Sequence, residues 1–161
     1  MPGAKFFNAL GLSPSAVTIF GFALSVFAAI LVSMGYLFTG GLVFILAGIM
    51  DLMDGALARY TGKVSKSGAL LDSVFDRLGE AALYIGLAIY AIGFYSSDLV
   101  LRLFILTLLI ALVGSLVVSY LRAKGESLGI DTRTGLMTRP ERVVVIVLGL
   151  ILSQVWLALM V

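Results

Sequence analysis

The chain has no cysteine and no histidine. The first absence excludes disulfides and thiolate chemistry. The second removes the commonest general base and the commonest zinc ligand. Any acid–base step must then use a carboxylate, a lysine, a tyrosine or water. Charge is scarce too: 12% of the 161 residues are charged and 61% are apolar, where a soluble domain has about 25% and about 45–50%. Such a chain belongs in a membrane. At net charge +2 it has no basic tail of the kind that binds nucleic acid, so no nucleic-acid partner is expected. It is too short for two domains and shows no strong repeat, linker or low-complexity tract. A single all-α polytopic membrane bundle over 1–161 is the expectation.

Residues 1–13 carry Lys5, Phe6, Phe7 and Leu10 and suit a short interfacial helix. Ser13, Pro14 and Ser15 read as a helix start with proline in the first turn. The apolar run 16–36 is too long for a signal-peptide core and lacks a small-residue cleavage site, so it reads as a span. Residues 35–41 read as an uncharged turn. Further spans are expected over about 41–59, 68–93 and 99–121, with a turn at 95–98. A polar loop over 122–142 leads into a fifth run, about 143–161.

The cations orient these spans. Lys5, Arg59, Lys63, Lys66, Arg122, Lys124, Arg133, Arg139 and Arg142 fall on one side, with Arg77 just inside it, and only Arg102 falls near the other. The positive-inside rule makes the first side cytoplasmic. The N-terminus is then inside and the C-terminus outside, in the cell membrane.

Four of the nine carboxylates lie within 51–77: Asp51, Asp54, Asp72 and Asp76. The first pair is spaced i, i+3 and the second i, i+4, so each pair shares a helix face. Between them lies a basic turn, so two antiparallel helices are expected. Asp51 precedes that turn, and Asp76 follows it, by about eight residues, which gives both a depth on the order of 12 Å. Helix caps or surface charges would explain one such residue. They do not explain Asp72 and Asp76 inside an otherwise apolar helix, where ionisable groups are expensive. Four carboxylates at one depth cannot all remain ionised and unpaired in an apolar setting. Divalent cations with oxygen ligands are the natural partner, and two ions about 3.5–4 Å apart would clamp a diphosphate. Gly55 and Ala58 suit close helix packing and equally give a ligand room beside Asp54. Arg59 suits snorkelling at the membrane edge or contact with a phosphate.

The pattern Asp51-x-x-Asp54-Gly55-x-x-Ala58-Arg59, eight further residues, then Gly68-x-x-x-Asp72-x-x-x-Asp76 resembles the signature of the CDP-alcohol phosphotransferases at every position. The resemblance covers roughly residues 5 to 150. It implies transfer of a phosphatidyl-type group from a CDP-linked lipid to an acceptor hydroxyl, with release of CMP. It implies Asp51, Asp54, Asp72 and Asp76 as ligands of one or two Mg2+ or Mn2+ ions, and Asp76 as general base. Gly55, Ala58, Arg59, Ser65 and Gly68 are implied on the CDP side. Thr18 and Ser15 match a polar pair facing the nucleotide, although the family often has Asn where Ser15 stands. A homodimer is also expected. The family usually has six spans, and five are counted here, so the last is expected to be missing or the chain truncated.

The residues 119–124 and 135–142 look like the inositol-phosphate branch, the phosphatidylinositol-phosphate and archaetidylinositol-phosphate synthases. Arg139, Arg142, Arg122 and Lys124 would then hold the phosphate of a small phosphorylated polyol, inositol 1-phosphate, although positive-inside topology alone would also place cations there. Glycerol 3-phosphate or serine are the alternative acceptors. Two readings outside this chemistry are a divalent-cation transporter and a structural membrane subunit. A transporter site belongs near the bilayer midplane, often with inverted repeats, whereas these aspartates lie near one face. Glu80 continues the stripe of Asp72 and Asp76 one turn deeper, where it is expected to pair with Arg77 or a polar group.

Overall fold

The computed structural model describes residues 2–129 and 139–159, and every regular element among them is an α-helix. The order is α1 (Pro2–Ala9), α2 (Pro14–Ser33), α3 (Leu37–Thr61), α4 (Lys66–Phe94), α5 (Asp98–Ser127), α6 (Arg139–Ile151) and α7 (Val155–Leu159). Among the described residues four helices, α2 to α5, are long and apolar enough to cross a membrane. The protein is a multi-pass membrane protein.

Local chemistry sets the ends of the helices. Ser13 caps α2, its hydroxyl accepting the Ala16 N–H at 3.2 Å, and Pro14 fills the first helical position, where its missing N–H costs nothing. Gly62 closes α3 in the left-handed region at φ 65°, the usual glycine stop. Three residues on, Ser65 caps α4 by accepting the Gly68 N–H at 3.0 Å. The basic turn is therefore only 62–65, shorter than the sequence suggested.

Helix α2 is the centre of the bundle and packs along both α3 and α4. Small residues make this possible. A Cβ on Gly86 would lie 2.4 Å from the Ala29 carbonyl oxygen, and one on Gly40 would lie 2.6 Å from Val32 Cγ2. Such close backbone approach holds helices together in lipid, where apolar side chains gain little from meeting each other. Ala28 and Val32 of α2 share a core with Leu83 and Leu87 of α4, Phe104 and Leu108 of α5, and Ile146 and Leu150 of α6. At the end of the bundle away from the aspartates, rings run in series. Tyr90 stacks on Phe94 at 4.6 Å, while Tyr95 and Trp156 each meet Phe104 edge-on at 5.2 Å.

Three boundaries differ from the sequence reading. Residues 37–41 are helical, so Gly40 and Gly41 serve packing rather than a turn. Helix α5 continues to Ser127 and stops at Gly129, φ 74°. Arg122 and Lys124 therefore stand on a helix, because 121–124 contain no breaker. The rest of the expected loop, 130–138 with Arg133, lies outside the described residues. The fifth run is not one continuous helix. It forms the 13-residue α6 and then α7, with a break at 152–154 where Ser153 takes φ 55°. At about 1.5 Å per residue α6 reaches about 20 Å, less than the roughly 30 Å hydrocarbon core.

Candidate active site

The C-terminal half of α3 and the N-terminal half of α4 carry the aspartates. Carboxylate oxygens of Asp51, Asp72 and Asp76, all half-buried, lie within 4.8 Å of one another. Their i, i+4 spacing on α4 and the position of Asp51 opposite on α3 produce this triangle. Oxygen-only donors in such a cluster suit a hard divalent cation such as Mg2+ or Mn2+. The chain has no cysteine thiolate or histidine imidazole to favour a softer one.

Asp54 stands outside the triangle. It is 5% exposed, and Thr18 donates a 2.5 Å hydrogen bond to its Oδ2. The sequence marked both residues but not their contact. A cavity of 440 Å³ opens beside them, with Asp51, Asp54, Asp76 and Thr18 at its polar end. Its apolar part runs between Phe22 of α2, Phe44 of α3, Phe75 of α4 and Val147 of α6. Phe22 and Phe75 stack at 4.8 Å.

The remaining predicted residues divide into three groups. Gly55 gives room to Arg59, whose Nη1 would lie 3.4 Å from a Cβ there; Arg59 itself is exposed and Ala58 half-buried. Ser65 and Gly68 bond to each other as the α4 cap, and Ser15 is exposed on the first turn of α2. On the acceptor side, Arg122 is half-buried and Lys124 exposed, and Arg139 opens α6. Arg142 is 14% exposed; its Nη2 donates to Ser115 Oγ at 3.0 Å and Ser119 Oγ at 3.3 Å. Glu80 takes a polar partner as expected, accepting from Ser115 at 2.7 Å, with Arg142 Nε 3.7 Å away. Arg77 turns back onto Ser73 in its own helix. Nothing in the sequence paired residues 80, 115 and 142.

The family model described as CDP-alcohol phosphatidyltransferase matches residues 12–161. The chain belongs to the CDP-alcohol phosphatidyltransferase family. It is 40% identical over 145 residues to the phosphatidylinositol phosphate synthase of Mycobacteroides abscessus, covering 89% of this chain and 64% of that one. To the archaetidylinositol phosphate synthase of Pyrococcus horikoshii it is 34% identical over 152 residues, 94% of this chain and 76% of that one. The chain thus spans under two thirds of the length of the M. abscessus enzyme. The crystal structure of Mycobacterium tuberculosis phosphatidylinositol phosphate synthase with CDP-DAG bound superposes with TM-score 0.83 at 33% identity, over 99% of this chain and 85% of that one. The same enzyme in complex with manganese and citrate gives TM-score 0.83 over 81% of its chain. Among CDP-alcohol phosphatidyltransferases the cation-transport reading of the aspartates finds no support.

Proposed function

We propose that this protein is a divalent-cation-dependent phosphatidyltransferase of phospholipid synthesis. It takes a phosphatidyl-type group from a CDP-linked lipid and passes it to a hydroxyl of a small phosphorylated polyol, inositol 1-phosphate, releasing CMP. The observation that carries this is the triangle of Asp51, Asp72 and Asp76 beside a largely apolar cavity that Asp51 and Asp76 themselves line. A diphosphate head and an apolar tail both have a place there. The relatives named as inositol-phosphate-lipid synthases support the acceptor, and the CDP-DAG complex of the M. tuberculosis enzyme supports the donor.

In this reading Asp51, Asp54, Asp72 and Asp76 hold one or two Mg2+ or Mn2+ ions. A cation held by these carboxylates would supply the positive charge that offsets the diphosphate and the departing CMP. Thr18, Ser15, Gly55, Ala58, Arg59, Ser65 and Gly68 flank the CDP moiety. Asp76 accepts the proton of the acceptor hydroxyl as its oxygen bonds to the lipid-bearing phosphorus, and the bond from that phosphorus to the CMP oxygen breaks. With no histidine in the chain, a carboxylate is the natural base. Arg139, Arg142, Arg122 and Lys124 hold the acceptor phosphate. The whole chain, 1–161, acts as one membrane domain with its site facing the cytoplasm of the cell membrane, and it works as a homodimer.

The test is purified protein in lipid nanodiscs with CDP-diacylglycerol or its archaeal ether analogue. Inositol 1-phosphate, inositol, glycerol 3-phosphate and serine are offered in turn, and CMP release is read. Release with inositol 1-phosphate, lost with a chelator and restored by Mn2+, is expected. Release with glycerol 3-phosphate or serine alone would overturn the acceptor. No release with any of the four would overturn the reaction.

A further inference from the structure

A carboxylate within an apolar bundle is costly unless other groups hold it. Glu80 is 3% exposed and lies one turn deeper than Asp76 on the same face of α4. Its partners come from two other helices. Ser115 of α5, 4% exposed, donates to Glu80 Oε1 at 2.7 Å. Arg142 of α6 places Nε 3.7 Å from the same oxygen, and its Nη2 donates to Ser115 and Ser119. The Ser115 hydroxyl is thus donor to the carboxylate and acceptor from the guanidinium, using both of its capacities.

An arginine kept at the membrane edge by topology alone would extend its head into water. Arg142 is drawn inward and fixed by three side chains of α4 and α5. We infer that Glu80 is a positioning residue for the acceptor: through the Glu80–Ser115–Arg142 contacts it sets the guanidinium of Arg142 where an acceptor's phosphate is met. This rests on the assignment of Arg142 to the acceptor phosphate. A planar fork of donors recognises phosphate well only when its orientation is set beforehand. The arrangement also links the acceptor side to the helix that carries Asp72 and Asp76.

The test compares Glu80→Gln, Glu80→Asp and Arg142→Gln in nanodiscs, reading KM for inositol 1-phosphate, KM for CDP-diacylglycerol, and kcat. Glu80→Gln keeps the shape and removes the charge, so the acceptor KM should rise about tenfold, equivalent to about 1.4 kcal/mol. The donor KM should hardly move, and Glu80→Asp should recover part of the loss. A purely structural role predicts a lower Tm with an unchanged acceptor KM, and that result overturns the inference. If Arg142→Gln also leaves the acceptor KM unchanged, the assignment of Arg142 itself is wrong. If Arg142→Gln raises it and Glu80→Gln does not, only the role of Glu80 falls. Should Glu80→Gln fail to fold, Ser115→Ala decides: a raised acceptor KM supports the inference and an unchanged one overturns it.

Discussion

Thr18 and Asp54 are 36 positions apart in the chain, yet the Thr18 hydroxyl lies 2.5 Å from Asp54 Oδ2. The same hydroxyl is 3.1 Å from the Pro14 carbonyl. It has one proton to give, and the shorter, charge-assisted contact claims it. Helix α2 therefore reaches into the aspartate cluster through one side chain.

Removing that donor should be felt by the metal before the nucleotide. Thr18→Val leaves a buried carboxylate oxygen without its partner, which costs about 1–3 kcal/mol. We expect the Mn2+ titration midpoint, followed by calorimetry, to rise about tenfold. A changed donor KM with an unchanged metal midpoint would leave Thr18 with its nucleotide contact alone and no part in holding the metal.

The aspartates should separate by role. Asp51→Asn and Asp72→Asn should lose Mn2+ binding in calorimetry together with turnover. Asp76→Asn should abolish turnover while largely sparing CDP-lipid binding, because the amide keeps the shape and cannot take a proton. Near-normal turnover in Asp76→Asn removes it as the base. Loss of donor binding there shows that its role as a ligand dominates.

Arg139→Ala should raise the KM for inositol 1-phosphate about ten- to a hundredfold, since a hydrogen bond to a charged group is worth roughly 1.5–3 kcal/mol. The donor KM should stay put. If cations on this side serve only to orient the chain, the correctly inserted variant keeps its acceptor KM.

Stability should respond to where a glycine sits rather than to its being glycine. Gly86→Ala drives a methyl into the Ala29 backbone and should cost about 1–3 kcal/mol, read as a lower Tm in detergent. Gly93→Ala meets nothing within 4 Å and should leave Tm unchanged or slightly raised. Equal effects from the two changes would contradict the close crossing of α2 and α4.

Much of the site is written in local spacing, and local spacing is what a sequence exposes. Asp51, Asp72 and Asp76 meet because helical periodicity puts them on facing stripes near one turn. The caps at Ser13 and Gly62 follow from residue chemistry alone. The contacts that cross helices are different. Nothing near Thr18 points to Asp54, and nothing near Glu80 points to Arg142, because tertiary packing sets those distances. Gly40 and Gly41 misled for a related reason: a glycine serves a turn or a close approach equally well, and only the neighbouring Val32 and Leu150 settle which. The break at 152–154 has neither proline nor glycine to announce it, so apolarity alone suggested an unbroken span.

The ring series at the far end gives the protein a built-in optical probe. Trp156 is the one tryptophan in the chain, and it lies edge-on to Phe104 of α5, whose side chain is fully enclosed. Its emission should therefore track the seating of α7 on α5, at the opposite end from the aspartates. A red shift during denaturation would time the release of that corner, and comparison with CMP release would show whether the catalytic end fails before or after it.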